Sequence, residues 1–175
     1  MSIKEIRSDF KEYAKDIKIN LGNILTEEKS IGLSQNQIYG IALACVYTTR
    51  HEKLIEAISK DASASLSEAE IYAAKAASTI MAMNNVYYRA IHFVSDKEIA
   101  KAQSGMRMSV IGKPGISHID FELYSLAVSA INGCGYCIES HASKVAHDGI
   151  SREGVQSTLR IASVINATAQ AMVIN

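Results

Sequence analysis

From Ile3 onward apolar side chains recur at intervals of three and four, at Ile6, Phe10, Tyr13, Ile17, Leu21 and Ile24. That spacing puts them on one face of a 3.6-residue helix, so a single amphipathic helix is expected, entered through a Ser2-x-x-Glu5 capping box. Gly32-Leu33-Ser34 interrupts the pattern, and Ser34-x-x-Gln37 opens a second helix through about residue 47. A third, with Leu54, Ile55 and Ile58 on one side, is expected over about residues 52–62. Ser67-x-x-Glu70 starts a long alanine-rich helix through Met83, whose small residues let neighbouring helices approach closely. Asn84-Asn85 and the aromatic segment Val86-Tyr87-Tyr88-Arg89 follow it, leading to Phe93.

Residues 104–118 form the one long irregular segment and hold the only proline, in Gly112-Lys113-Pro114-Gly115. A helix carrying Glu122 then stops at Asn132-Gly133, a C-cap and turn signal, and another begins at about Cys134. After Asp148-Gly149, Ser151 caps a final helix to about residue 174. No segment sustains an alternation of period two, so the fold class is all-α.

Composition narrows the picture. At 175 residues, 48% of them hydrophobic, the chain makes one compact domain or two small units sharing a core. Eighteen basic residues balance eighteen acidic ones and no basic run stands out, which argues against capture of nucleic acid. The N-terminus alternates charge, and no stretch approaches the roughly 20 apolar residues of a membrane span, so a soluble, intracellular, cytoplasmic protein is expected. Three cysteines are too few for a disulfide framework. In a reducing compartment a C-x-x-C is catalytic or metal-binding more often than structural, and Cys45 reads as a small buried hydrophobe.

The chemistry gathers in one stretch. Cys134, Cys137 and His141 are spaced three and four apart, which projects them from one helical face, and Glu122 lies on the returning helix as a candidate orienting base. Thiol chemistry needs a thiolate, and a free cysteine with a pKa of about 8.5 is mostly protonated at neutral pH. The positive end of a helix dipole favours the anion at Cys134. An imidazole one turn away favours it at Cys137. Spacing leaves that contest open, but either sulfur, once oxidised, can close a local disulfide with the other. Cys45, Thr48 and Glu52 faintly echo the site. This gives a single domain over 1–175, with a degenerate half at about 1–100 and a catalytic half at about 117–175.

The chain resembles the alkyl hydroperoxide reductase D (AhpD) proteins of the carboxymuconolactone decarboxylase-like superfamily. The likeness rests on Glu12-Tyr13-Ala14-Lys15-Asp16-Ile17-Lys18, Met83-Asn84-Asn85-Val86-Tyr87-Tyr88-Arg89, Asn132-Gly133-Cys134 and the set Glu122, Cys134, Cys137, His141. It implies an all-helical, internally duplicated fold, assembly as a homotrimer and an antioxidant peroxidase activity. By that resemblance Cys137 is the sulfur oxidised to a sulfenic acid and the one that forms a mixed disulfide with a partner. Cys134 is the proton donor and resolving thiol, and Glu122 and His141 form the proton relay. No bound cofactor is implied. The reductant is dihydrolipoamide on a lipoylated acyltransferase of a 2-oxoacid dehydrogenase complex, and electrons pass to a peroxiredoxin of the AhpC type. One departure is Tyr136, where some relatives place a relay histidine.

The bland readings are concrete. Cys134, Cys137, His141 and Glu122 could supply four zinc ligands, although a zinc C-x-x-C commonly sits on a tight knuckle rather than within one helix. A helical assembly protein is a third reading. His51, His92, His118 and His147 default to surface or packing roles, and Tyr87-Tyr88 to core or subunit packing.

Overall fold

A computed structural model describes residues 2–174, which form ten α-helices and one 3₁₀ turn, with no strand among the described residues. The helices are α1 (Ile3–Asp9), α2 (Lys15–Asn23), α3 (Gln35–Thr49), α4 (Glu52–Ala62), α5 (Glu68–His92), α6 (Lys97–Lys101), α7 (Ser109–Gly112), α8 (His118–Asn132), α9 (Gly135–His147) and α10 (Arg152–Ile174). Helices α3 and α8 pack side by side at the centre, and both are flanked by α5 and α10. Helix α4 packs on α3, α9 packs on α8, α5 and α10, and α2 lies on α10. No helix among the described residues is long and apolar enough to cross a membrane.

The capping signals act as their chemistry demands. Ser2, Ser34 and Ser67 each complete a capping box with Glu5, Gln37 and Glu70, and Ser151 Oγ accepts from Gly154 N–H at 3.1 Å. Each satisfies backbone donors that have no partner within the helix. Three alanines of α5 face inward, Ala73, Ala74 and Ala77, all fully buried, so α3 and α8 lie close to its backbone there. Gly40 does the same work on α3, where a Cβ would fall 2.0 Å from the buried Tyr124 hydroxyl. The only relief would be movement of a packed aromatic ring.

Two expectations are corrected. The N-terminal stretch is not one helix: α1 ends at Asp9, Phe10 is extended, and a 3₁₀ turn over Glu12–Ala14 precedes α2. Apolar spacing runs across the break because Ile6, Phe10, Ala14 and Leu21 are buried on either side of it, so burial is continuous while the backbone is not. Conversely, α5 does not stop before Asn84-Asn85 but runs unbroken to His92. Both asparagines are buried within it.

Helices α3 and α8 are fifteen residues each, follow serines Ser34 and Ser117, and end in a left-handed residue, Arg50 (φ 59°) or Gly133 (φ 68°). In each case the next residue caps the following helix through its side chain, His51 accepting from Leu54 N–H and Cys134 from Cys137 N–H. Cys45 lies buried inside α3, and His51 holds the place that Cys134 holds before α9.

Candidate redox site

The site is built on the turn between α8 and α9. Gly133 adopts φ 68°, ψ 34°, a left-handed conformation that costs other L-residues about 1–2 kcal/mol. It lets the chain reverse so that Gly133 N–H donates to Ala130 O and Cys134 N–H to Ser129 O, at 3.2 Å each. Helix α5 clamps this turn. Arg89 Nη1 donates to the Asn132 carbonyl, Asn132 Nδ2 to Asn85 Oδ1 at 2.9 Å, and Asn85 Nδ2 to Ser129 Oγ at 2.9 Å. The bonds of Asn85 offset its modest helix penalty, so α5 continues through it.

Cys134 thus closes α8 and caps α9 at once. It lies before the helix rather than on its face, with φ −92°, ψ 91°, and its sulfur turns back over the first turn to accept from Cys137 N–H at 3.3 Å. Cys134 and Cys137 are joined in a disulfide, with their Cα atoms 5.3 Å apart. The sulfurs differ in access. Cys134 is fully buried, whereas Cys137 is 5% exposed and lines a cavity of about 270 Å³.

That cavity lies between α5, α9 and the irregular segment, and its walls include His141, Asn84, Tyr88, Met108 and Ile111. Glu122 projects from α8 behind it, with Oε2 2.6 Å from His141 Nδ1. Both side chains are mostly buried, at 16% and 14% exposed. Spacing alone left the direction of Glu122 open; the fold turns it onto the imidazole. With Nδ1 engaged, Nε2 is the ring nitrogen left for proton exchange. The four residues singled out in the sequence therefore form two bonded pairs in one place, a disulfide and a carboxylate–imidazole pair.

Residues the sequence reading did not assign to the site come from α5 and the irregular segment. Met81, Asn84 and Tyr88 border the cavity, and their spacing of three and four is a helical stripe that treating Asn84-Asn85 as a break obscures. Tyr136 is 58% exposed, and its ring stacks on Tyr88 with centroids 6.0 Å apart. On the far side of these two rings lies a groove of about 420 Å³, lined also by Tyr87, Ile91 and His92. Tyr87 and Tyr88 are accordingly groove walls rather than core.

The remaining chemistry is structural. Burial pushes the Cys45 thiol far up, so it stays protonated. His51 caps α4, and His147 with Lys144 bonds Asp148, which holds that carboxyl below its usual value. Among the described residues, no three His, Cys, Asp or Glu side chains are grouped so as to hold a metal ion.

Residues 97–174 match the carboxymuconolactone decarboxylase family. The chain is 48% identical over 172 residues to the alkyl hydroperoxide reductase AhpD of Coxiella burnetii (strain RSA 493 / Nine Mile phase I), covering 98% of this chain and 97% of that protein. It is 46% identical to the AhpD of Rhodospirillum centenum, over 97% of this chain and 89% of that one. The AhpD of Streptomyces griseus is 45% identical, over 95% and 93%. With nearly half the residues shared across nearly the whole of both chains, this chain belongs to the alkyl hydroperoxide reductase AhpD family.

Proposed function

We propose that the protein is a thiol-dependent alkyl hydroperoxide reductase in which Cys137 attacks the peroxide and Cys134 resolves the product. The observation that carries this reading is the difference between two bonded sulfurs: only Cys137 borders the cavity that His141 also lines. The reaction balances with the residues present. Cys137 gives its proton to the His141–Glu122 pair and, as thiolate, displaces alkoxide from the O–O bond to become a sulfenic acid. The alkoxide takes the proton of Cys134 and leaves as alcohol. The Cys134 thiolate then attacks the sulfenic sulfur, closing the disulfide and expelling hydroxide, which leaves as water with the proton held by the pair.

Reduction of the disulfide needs a dithiol, and the family points to dihydrolipoamide carried on a lipoylated acyltransferase, with electrons also passed to an AhpC-type peroxiredoxin through a mixed disulfide at Cys137. Access supports this assignment, since the incoming thiol meets Cys137 before the buried Cys134. Three outcomes are expected from thiol titration of the reduced native protein. Two thiols react and Cys45 appears only on denaturation; one equivalent of alkyl hydroperoxide removes both; dihydrolipoamide restores both. Loss of fewer than two would reject the disulfide cycle, and failure of dihydrolipoamide where another dithiol succeeds would reject the reductant.

Assembly as a homotrimer is part of the same proposal. Helix α5 and its C-cap residue present Tyr72, Met83, Val86 and Phe93 to solvent at intervals that are sums of three and four, an apolar stripe suited to a copy of the chain. Sedimentation is expected to give the mass of three 19.0 kDa chains, and a monomer at all concentrations would remove the assignment. We also assign α3–α4–α5 as a copy of α8–α9–α10, on the matched lengths, caps and left-handed ends described above. His51 and Leu54 would then occupy the places of Cys134 and Cys137, so the first half has no thiol at its turn. A structural superposition in which those turns failed to overlay would refute it.

A further inference from the structure

Asn84 and Asn85 are neighbours on α5 with opposite circumstances. Asn85 uses both ends of its amide, on Ser129 and Asn132. Asn84 is 95% buried, since only 5% of its surface is exposed, and its Oδ1 has no hydrogen-bond partner. It borders the cavity that Cys137 and His141 line. A buried amide oxygen without a protein partner is costly to hold, and it is available to a polar group that arrives with a ligand. The other uncharged polar walls are the hydroxyls of Tyr88, Tyr136 and Ser140; that of Tyr88 donates to the Met108 sulfur, Tyr136 is 58% exposed, and of the cavity's walls Asn84 is the one with a buried polar atom left unpartnered.

We propose that the side-chain amide of Asn84 binds the hydroperoxide group itself, anchoring R–O–O–H beside Cys137 for attack. This rests on the peroxidase reading above. An amide suits the ligand because a hydroperoxide has one O–H to donate and oxygens that accept, and Asn carries both complementary functions. It is also uncharged. A carboxylate in the same place would oppose the Cys137 thiolate, and an ammonium would pair with it, whereas an amide can align the O–O bond without altering the charge beside the nucleophile. The anchor contributes most where its alignment is most demanding, in the in-line displacement at oxygen.

The test uses two reactions of the same sulfur. Reduced full-length protein is mixed either with an alkyl hydroperoxide or with a small aromatic disulfide, which reacts with Cys137 by exchange and has no O–H to anchor. Asn84→Leu keeps the branched outline and the heavy-atom count and removes both hydrogen-bonding functions, and Asn84→Ala is the second variant. Both are expected to lose about tenfold to a hundredfold in the peroxide reaction, with a higher saturating concentration, while exchange with the disulfide stays within about twofold. Asn84→Leu should also melt no lower than the parent, since it removes a buried amide oxygen that has no partner, whereas Asn85→Leu, which breaks the bonds to Ser129 and Asn132, should melt lower.

Equal losses in both reactions would make Asn84 a prop for the thiol, and no loss in either would make it inert; each overturns the proposal. A parent protein that exchanges with the disulfide but ignores peroxide would instead remove the peroxidase reading, and this inference with it.

Discussion

Cys137→Ser is expected to abolish peroxide turnover, leaving only the uncatalysed rate, while circular dichroism shows the helices in place. The serine hydroxyl is not ionised at neutral pH and cannot form the sulfenic intermediate, so no residual route passes through this position. Unfolding is a poor explanation for the loss. A disulfide closing so short a loop contributes about 2 kcal/mol by chain entropy, against roughly 5–15 kcal/mol for a domain, and the working state is reduced in any case. Cys134→Ser should behave differently. It consumes one equivalent of peroxide per chain and then stalls with a sulfenic acid on Cys137, detectable by a 1,3-dione probe. Retained turnover in Cys137→Ser, or a dione adduct on residue 134 of the parent chain, would reverse the assignment of the two sulfurs.

Much of the site was legible because it is local. The capping serines, the left-handed Gly133 and the pairing of Cys134 with Cys137 depend on residues within about one turn of each other, and such short-range chemistry survives without knowledge of packing. Its spacing puts Cys134 on the helical face, whereas it stands just before the helix, yet the two sulfurs still meet, because an N-cap side chain turns back onto the same first turn. Where reasoning failed, tertiary structure had overridden a local preference. Asn84-Asn85 reads as a break until Ser129 and Asn132 supply partners from 44 and 47 residues away. Met108 and Ile111 lie in a segment without periodicity, so nothing in their spacing foretells that they wall the cavity. The N-terminal break failed in the opposite sense, since apolar spacing records burial and not hydrogen bonding.

Glu122→Gln and His141→Ala are each expected to slow peroxide reduction by roughly 10²–10⁴, the range of groups that hold or transfer a proton in the rate-determining step. Glu122 Oε2, 2.6 Å from His141 Nδ1, fixes the ring and its tautomer, so the two act as one device rather than two additive ones. The double variant should therefore be little slower than His141→Ala alone; a product of the two single losses would mean independent roles. A merely structural contribution is separated by chemical rescue. In His141→Ala the missing ring leaves space beside a cavity already of about 270 Å³, and added imidazole should restore part of the rate there but none in His141→Phe, where the space stays filled. Rescue identifies a lost proton carrier, because a base in solution can replace a carrier but cannot repair a fold. If imidazole fails while both variants keep the parent's melting temperature, the proton that leaves Cys137 travels by another route, and the carboxylate–imidazole pair holds α8 against α9 without taking part in the chemistry.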